Sequence, residues 1–172
     1  MSLEAFKSRV LPAKDKMYRF AYRLLKDEEE AKDIVQEAMI RVWKKREDMH
    51  TYLNMEAWCM RIVRNLSLDR IKSKQFNNDR LDDSYDLMTT AINPEQRTEI
   101  DDTMENIHNF IARLPEKQRQ IMQLRDIEGF SYNEIGDILN LDANNVKVNL
   151  FRARKSVRED LLNINAYGLK ES

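Results

Sequence analysis

Cysteine, glycine, proline and long apolar runs are all scarce in this 172-residue chain, which has one Cys, three Gly and three Pro. A lone Cys59 excludes an intramolecular disulfide and fits a reducing compartment. With just His50 and His108 beside it, no zinc-ligand set is expected, and no other metal or cofactor. The shortage of Gly excludes a phosphate-cradling loop, and no nucleophile–base pair stands out. The chain therefore reads as a non-enzyme with no small-molecule substrate. No apolar run approaches the roughly 20 residues of a membrane span. The N-terminal "MSLEAFKSRVLPAKDK" has no apolar signal-peptide segment. These two absences predict a cytoplasmic protein without direct membrane insertion. What is abundant (Leu, Ile, Met, Glu, Lys and Arg) favours helix over strand.

Net charge is −1 but unevenly spread. Residues 1–74 carry 17 Lys and Arg against 12 Asp and Glu, residues 75–102 carry 2 against 8, and residues 103–172 carry 10 against 10. A basic front half is thus joined to a neutral back half by a segment of net −6, an asymmetry that hints at a polyanionic partner. Within that segment, "QFNNDRLDDSYDLMTTAINPEQ" (residues 75–96) breaks helical periodicity and ends near Asn93-Pro94. A structureless stretch of that length is unusual inside one compact domain. The expected fold is all-α, with two small helical domains, residues 1–74 and 103–172, joined by a flexible acidic linker over 75–102.

In the front domain the spacing predicts a helix over Ser8–Leu25. A second opens at Asp27 as N-cap, with Glu28, Glu29 and Glu30 in its first turn. After the loop "EDMHTYLNM", a third starts near Glu56. Helices are predicted over 97–112, 115–128, 131–139 and 143–162 in the back domain. Pro115 suits a first helical turn and Gly129 a helix end. Ser131 and Glu134 have capping-box spacing, with Phe130 and Ile135 as a hydrophobic staple. Asp142 caps the next helix, with Leu141 and Val146 as its staple. Two capped helices separated by about three residues spell helix-turn-helix.

The second helix of that pair contains "NNVKVNLFRARK", residues 144–155, with four positive charges and no negative one. At about 100° per residue, Val146, Leu150, Ala153, Val157 and Leu161 form one apolar stripe. Asn144, Val148, Arg152 and Lys155 lie opposite. Phe151 and Arg158 flank them on one side, Asn145 and Asn149 on the other, while Lys147 and Arg154 sit nearer the core boundary. A charged face on an amphipathic helix is ordinarily just a solvated one. Here the helix is the one that enters a major groove in helix-turn-helix proteins. Asn side chains pair with base edges, and Arg and Lys suit phosphates and guanine. Phe151 is costly to leave in water but suits a thymine methyl or a sugar. DNA binding is the reading these features carry together.

These residues bring a family into view. "LPEKQRQIMQLRDIEGFSYNEIGDILNLDANNVKVNLFRARKSVREDL" resembles the C-terminal domain of extracytoplasmic-function sigma factors, the small alternative initiation factors of bacterial RNA polymerase. The match runs through Leu114-Pro115, Arg119, Leu124-Arg125, Gly129, Ser131-Tyr132, Glu134-Ile135, Val146-Lys147 and Arg152-Ala153-Arg154. "EEEAKDIVQEAMIRVW" resembles the family's polymerase-binding helix and "AWCMRIVRNLSLDRIK" its promoter-melting helix.

The resemblance implies a subunit that directs core RNA polymerase to promoters and assists melting without hydrolysing nucleotide. It implies that Asp33, Gln36 and Glu37 face the clamp helices of the largest polymerase subunit, with the flap as a further polymerase contact. The loop residues His50, Tyr52 and Asn54, and the helix residues Arg61, Arg64, Asn65 and Arg70, would meet the minus-ten element. A melted strand there needs cations along its backbone and a pocket for a flipped base. Arg125, Lys147, Val148, Phe151, Arg152 and Arg154 would meet the minus-thirty-five element, together with Asn144, Asn145 and Lys155 from the same helix face. Arg125 and Arg154 would mainly hold phosphates. Family members often carry Thr at 145 and Ser-Arg at 148–149; here Asn145, Val148 and Asn149 stand instead, so base preference is not to be copied from relatives. The acidic linker would thread the channel that nascent RNA later occupies. An anti-sigma factor is a further implied partner, one that in the family can hold the protein at the inner membrane. The rival readings are a stand-alone helix-turn-helix regulator and a helical adaptor that never meets DNA.

Overall fold

Pro12 splits what the spacing predicts as one helix. In the computed structural model, which describes residues 1–51, 54–80 and 99–168, α1 covers Leu3–Val10, a 3-10 turn covers Leu11–Ala13, and α2 covers Lys14–Leu25. Proline has no amide hydrogen to give and its ring crowds the preceding turn, so the helix breaks there. Ser2 starts α1 instead, its hydroxyl accepting from the Ala5 amide at 3.2 Å. Helix α3 spans Glu28–Lys44 and opens as predicted, with the Asp27 carboxylate accepting from the Glu30 amide at 3.0 Å. A 3-10 helix, Arg46–Thr51, takes up the first residues of the predicted loop. Helix α4 spans Met55–Arg80. Asn54 caps it, Oδ1 accepting from the Ala57 amide at 3.0 Å.

The extent of α4 corrects the predicted end of the front helices. Residues 75–80 are helical, although their sequence shows no helical period. The reason is exposure: side chains 72–79 are all solvated, and a helix that buries no face shows no apolar repeat. Residues 81–98, the greater part of the predicted linker, lie outside the described residues, as do Tyr52 and Leu53.

The back half contains α5 (Glu99–Arg113), α6 (Glu116–Met122), α7 (Tyr132–Leu139) and α8 (Ala143–Gly168). The helix predicted over 115–128 does not run through as α-helix. After Met122 it widens into a π turn, Gln123–Ile127, in which the Glu128 amide donates to the Gln123 carbonyl at 3.0 Å. Gly129 follows at φ +78°, a backbone that glycine adopts without strain. The predicted capping box is present: Glu134 N–H donates to Ser131 Oγ at 3.1 Å, and Ser131 N–H donates to Glu134 Oε2 at 2.9 Å. Asp142 Oδ1 accepts from the Asn145 amide at 2.7 Å and caps α8. Three residues, Asn140-Leu141-Asp142, separate α7 from α8.

The helices pack as two compact units. In the first, α1–α4 and α7 bury Val10, Met17, Phe20, Ile34, Val42, Met60, Val63, Ile135 and Ile138. In the second, Phe110, Ile111 and Leu114 of α5 and its C-terminal end pack on Ala153 and Val157 of α8. Ile121, Leu124, Val146 and Leu150 are buried in the same unit. Among the described residues the regular elements are helical, and no helix is long and apolar enough to cross a membrane.

Cys59 faces the first core and is fully buried. Burial, with the Glu56 carboxylate adding a smaller effect, pushes its thiol up to about 12. At pH 8 that leaves roughly a thousandth of the thiolate of an exposed cysteine. Iodoacetamide labelling is therefore expected to be slowed by at least that factor until the unit unfolds. The thiol's contribution to stability is full below about pH 9, the ordinary thiol value, and falls as pH rises towards 12. Fast labelling of the folded chain at pH 8 would contradict this placement.

Candidate nucleic-acid and polymerase interfaces

Helix α3 presents a mixed acidic face. Asp33 and Gln36 are exposed and Glu37 is half-buried, while Ile34, Val35 and Ala38 go into the core. Positions i, i+3 and i+4 share one side of a helix, so all three predicted residues lie together. Arg41 Nη2 donates to Glu37 Oε1 at 2.8 Å along that side. Sequence reading missed Ile40, which is 55% exposed and continues the same face at i+7 from Asp33. A single exposed apolar side chain is ordinary on a protein surface, so Ile40 extends this face without by itself marking it as a contact.

On α4, Arg61 and Asn65 are exposed and Arg64 is half-buried. At about 100° per residue the three fall on one side, whereas Arg70 points to the opposite side. Exposed Lys72 completes the i, i+4, i+7, i+11 row begun by Arg61 and Asn65, and the sequence reading did not single it out. Of the loop residues, His50 is placed in the 3-10 turn but its side chain is outside the described set, and Tyr52 is outside altogether. Asn54 is half-buried and committed at both ends of its amide. Besides capping α4, Nδ2 donates to Glu134 Oε1 at 2.6 Å.

Helix α8 divides as the wheel predicts. Val146, Leu150, Ala153 and Val157 are buried, while Asn144, Lys147, Arg152 and Lys155 are exposed. Val148 is 46% exposed and Phe151 66% exposed. Two asparagines depart from the prediction. Asn149, placed on the outer flank, is buried, and its Nδ2 donates to the Asn145 carbonyl at 2.9 Å and to Asn145 Oδ1 at 2.5 Å. This i,i+4 link also engages the predicted contact residue Asn145, which is half-buried. Arg154 is bound edge-on by Asp126 of the π turn, Nε donating to Oδ2 at 3.0 Å and Nη2 to Oδ1. Arg125, beside Asp126, is half-buried.

Comparisons with known proteins follow the same division of the chain. Residues 12–76 match the family description Sigma-70 region 2, and residues 104–157 match Sigma-70, region 4. The ECF RNA polymerase sigma factor SigW of Bacillus subtilis (strain 168) is 31% identical over 167 residues, covering 92% of this chain and 89% of that protein. Among solved structures, the sigma factor RpoE of Bartonella quintana, in complex with the anti-sigma factor NepR, superposes with a TM-score of 0.75 at 25% identity. The match covers 92% of this chain and 98% of that one. CnrH, in complex with the cytosolic domain of CnrY, shares the fold at a TM-score of 0.65 and 20% identity, covering 95% of this chain and 90% of its own. With both regions matched in order, and a curated relative of this identity spanned over most of its length, the chain belongs to the extracytoplasmic-function family of RNA polymerase sigma factors.

Proposed function

We propose that this chain is a promoter-specificity subunit. It binds core RNA polymerase, brings it to a set of promoters and helps open them, and it catalyses no reaction of its own. The observation that carries the reading is the outer face of α8. Two well-exposed apolar side chains, Val148 and Phe151, sit among Asn144, Lys147, Arg152 and Lys155, directly opposite a buried stripe. Water disfavours that combination, whereas a major groove offers phosphates, base edges and thymine methyls to meet it.

Residues 1–74 form the polymerase-binding and minus-ten module in this proposal, and residues 103–172 the minus-thirty-five module. The acidic segment between them acts as tether and as a mimic of RNA charge. The α3 face of Asp33, Gln36, Glu37 and Ile40 contacts the polymerase. The α4 row of Arg61, Arg64, Asn65 and Lys72 follows the melted strand, with His50 and Tyr52 at the flipped base, Asn54 reaching that base by giving up its bond to Glu134, and Arg70 on the far side reaching the duplex backbone. As a partner of polymerase the chain acts in the cytoplasm in this proposal. Because RpoE of Bartonella quintana is in complex with the anti-sigma factor NepR in its solved structure, an anti-sigma factor is proposed as a further partner. A stand-alone regulator is not favoured, since it has no use for the region 2 match over residues 12–76.

Run-off transcription with core RNA polymerase and fragmented genomic DNA of the source organism tests the proposal. Discrete promoter-dependent transcripts are expected when the purified chain is added and none without it. A chain that binds core polymerase yet never confers specific initiation overturns the reading.

A further inference from the structure

Asp126 stands out as a carboxylate set beside a face proposed to meet a polyanion. It lies on the π turn, partly exposed, and it grips Arg154 of α8 along the Nε–Nη2 edge of the guanidinium. Both residues belong to the second compact unit, and Ala153, next to Arg154, is fully buried, so the backbone that carries Arg154 is anchored. Arg154 itself falls one helical turn beyond exposed Phe151 and two beyond exposed Lys147.

Two physical effects of Asp126 oppose each other. Its negative charge lowers the attraction of this region for phosphates. Its fork-on-fork geometry removes most of the rotamer freedom of a long side chain and fixes the plane of the guanidinium before any ligand arrives. A contact residue ordered in advance loses less entropy on binding. Arginine matched to a carboxylate through two parallel bonds is the geometry in which the second effect is largest. The π turn is what makes the grip available. Its i to i+5 bond adds a residue to the turn, burying Gln123 and Leu124 while leaving Asp126 at the surface facing α8.

We propose that Asp126 is a positioning residue for promoter recognition: it orients Arg154 for a backbone phosphate beside the minus-thirty-five contacts. The proposal rests on the reading of α8 as a DNA-binding helix. It makes a counter-intuitive demand, because deleting a negative charge near the DNA face must weaken DNA binding.

The test measures fluorescence anisotropy of a random-sequence duplex of about 30 base pairs titrated with the full chain at several salt concentrations. Asp126→Asn is expected to weaken binding about threefold or more, with Asp126→Glu restoring much of the loss. Arg154→Ala is expected to weaken binding and lower the salt slope by about 0.9. The charge-swapped Asp126→Arg/Arg154→Asp chain is expected to melt close to the parent yet bind duplex poorly. If Asp126→Asn binds as well as or better than the parent while Arg154→Ala weakens binding, the positioning role is overturned and the DNA reading stands. Full binding by the swapped chain overturns it in favour of a purely structural ion pair. If Arg154→Ala binds like the parent, the DNA contact of Arg154 falls, and the proposal falls with it.

Discussion

Alanine at position 136 is expected to destabilise the chain by about 1–3 kcal/mol, and valine to cost more. A Cβ on Gly136 would stand 2.5 Å from the Leu141 carbonyl oxygen and 3.6 Å from its carbonyl carbon. The obstacle is backbone, so no rotamer change relieves it. The close approach comes from the way α7 ends. Asn140 takes a left-handed backbone at φ +57°, and the amides of both Asn140 and Leu141 turn back onto the Gly136 carbonyl, the second at 2.9 Å. That closure satisfies a carbonyl that a helix end otherwise leaves bare, and it folds residue 141 against residue 136. A side chain there must either open the turn or displace the start of α8. The expected readouts are a thermal midpoint lower by about 3–10 °C and faster proteolytic cleavage between Leu139 and Ala143. Promoter-specific transcription should fall with them. An unchanged melt for both substitutions would mean that the turn is not held by this contact.

Gly136 also marks where the sequence stopped being readable. Caps act over three or four residues and are written in the chain itself, which is why Asp27, Ser131 with Glu134, and Asp142 were legible and are found in place. The buried stripe Val146, Leu150, Ala153 and Val157 was legible because a 3.6-residue repeat records which side packs. A glycine inside a strongly patterned helix was a signal as well, but its partner is a backbone carbonyl that no pattern names. Pro12 breaks a helix that the apolar spacing alone predicts to be continuous. The second half of α4 gave no signal, since a solvated helix and a solvated coil have the same composition. The Asp126–Arg154 grip depends on a π turn, and one extra residue in a turn is invisible to a fixed 100° wheel. The wheel likewise set Asn149 on the outer flank, whereas its amide closes on Asn145 and it is buried.

Alanine at Val148 or Phe151 is expected to leave stability within about 0.5 kcal/mol while changing which promoters are used. Both side chains are exposed, Phe151 more than Val148, and neither belongs to the buried core, so their removal opens no internal cavity. Their loss matters if a partner fills the space around them. A thymine-methyl contact reads base identity, and a mismatched base pair in a recognised site costs about 1–3 kcal/mol, or roughly 5- to 150-fold between sequences. Selection of randomised minus-thirty-five duplexes by the assembled holoenzyme should therefore return an altered preference at one or two positions for each substitution. Lys155→Ala should behave differently, weakening all sequences alike and lowering the salt slope by about 0.9, because a phosphate contact carries no base identity. If all three substitutions weaken every sequence to the same degree, Val148 and Phe151 hold DNA without reading it, and any base preference of α8 must come from its polar residues such as Asn144 and Arg152. The contrast is sharp because the two kinds of residue share one helix face. Lys155 lies on the same side of α8 as Val148 and Phe151, so a general disturbance of the helix would move all three together, and a split between them cannot come from unfolding.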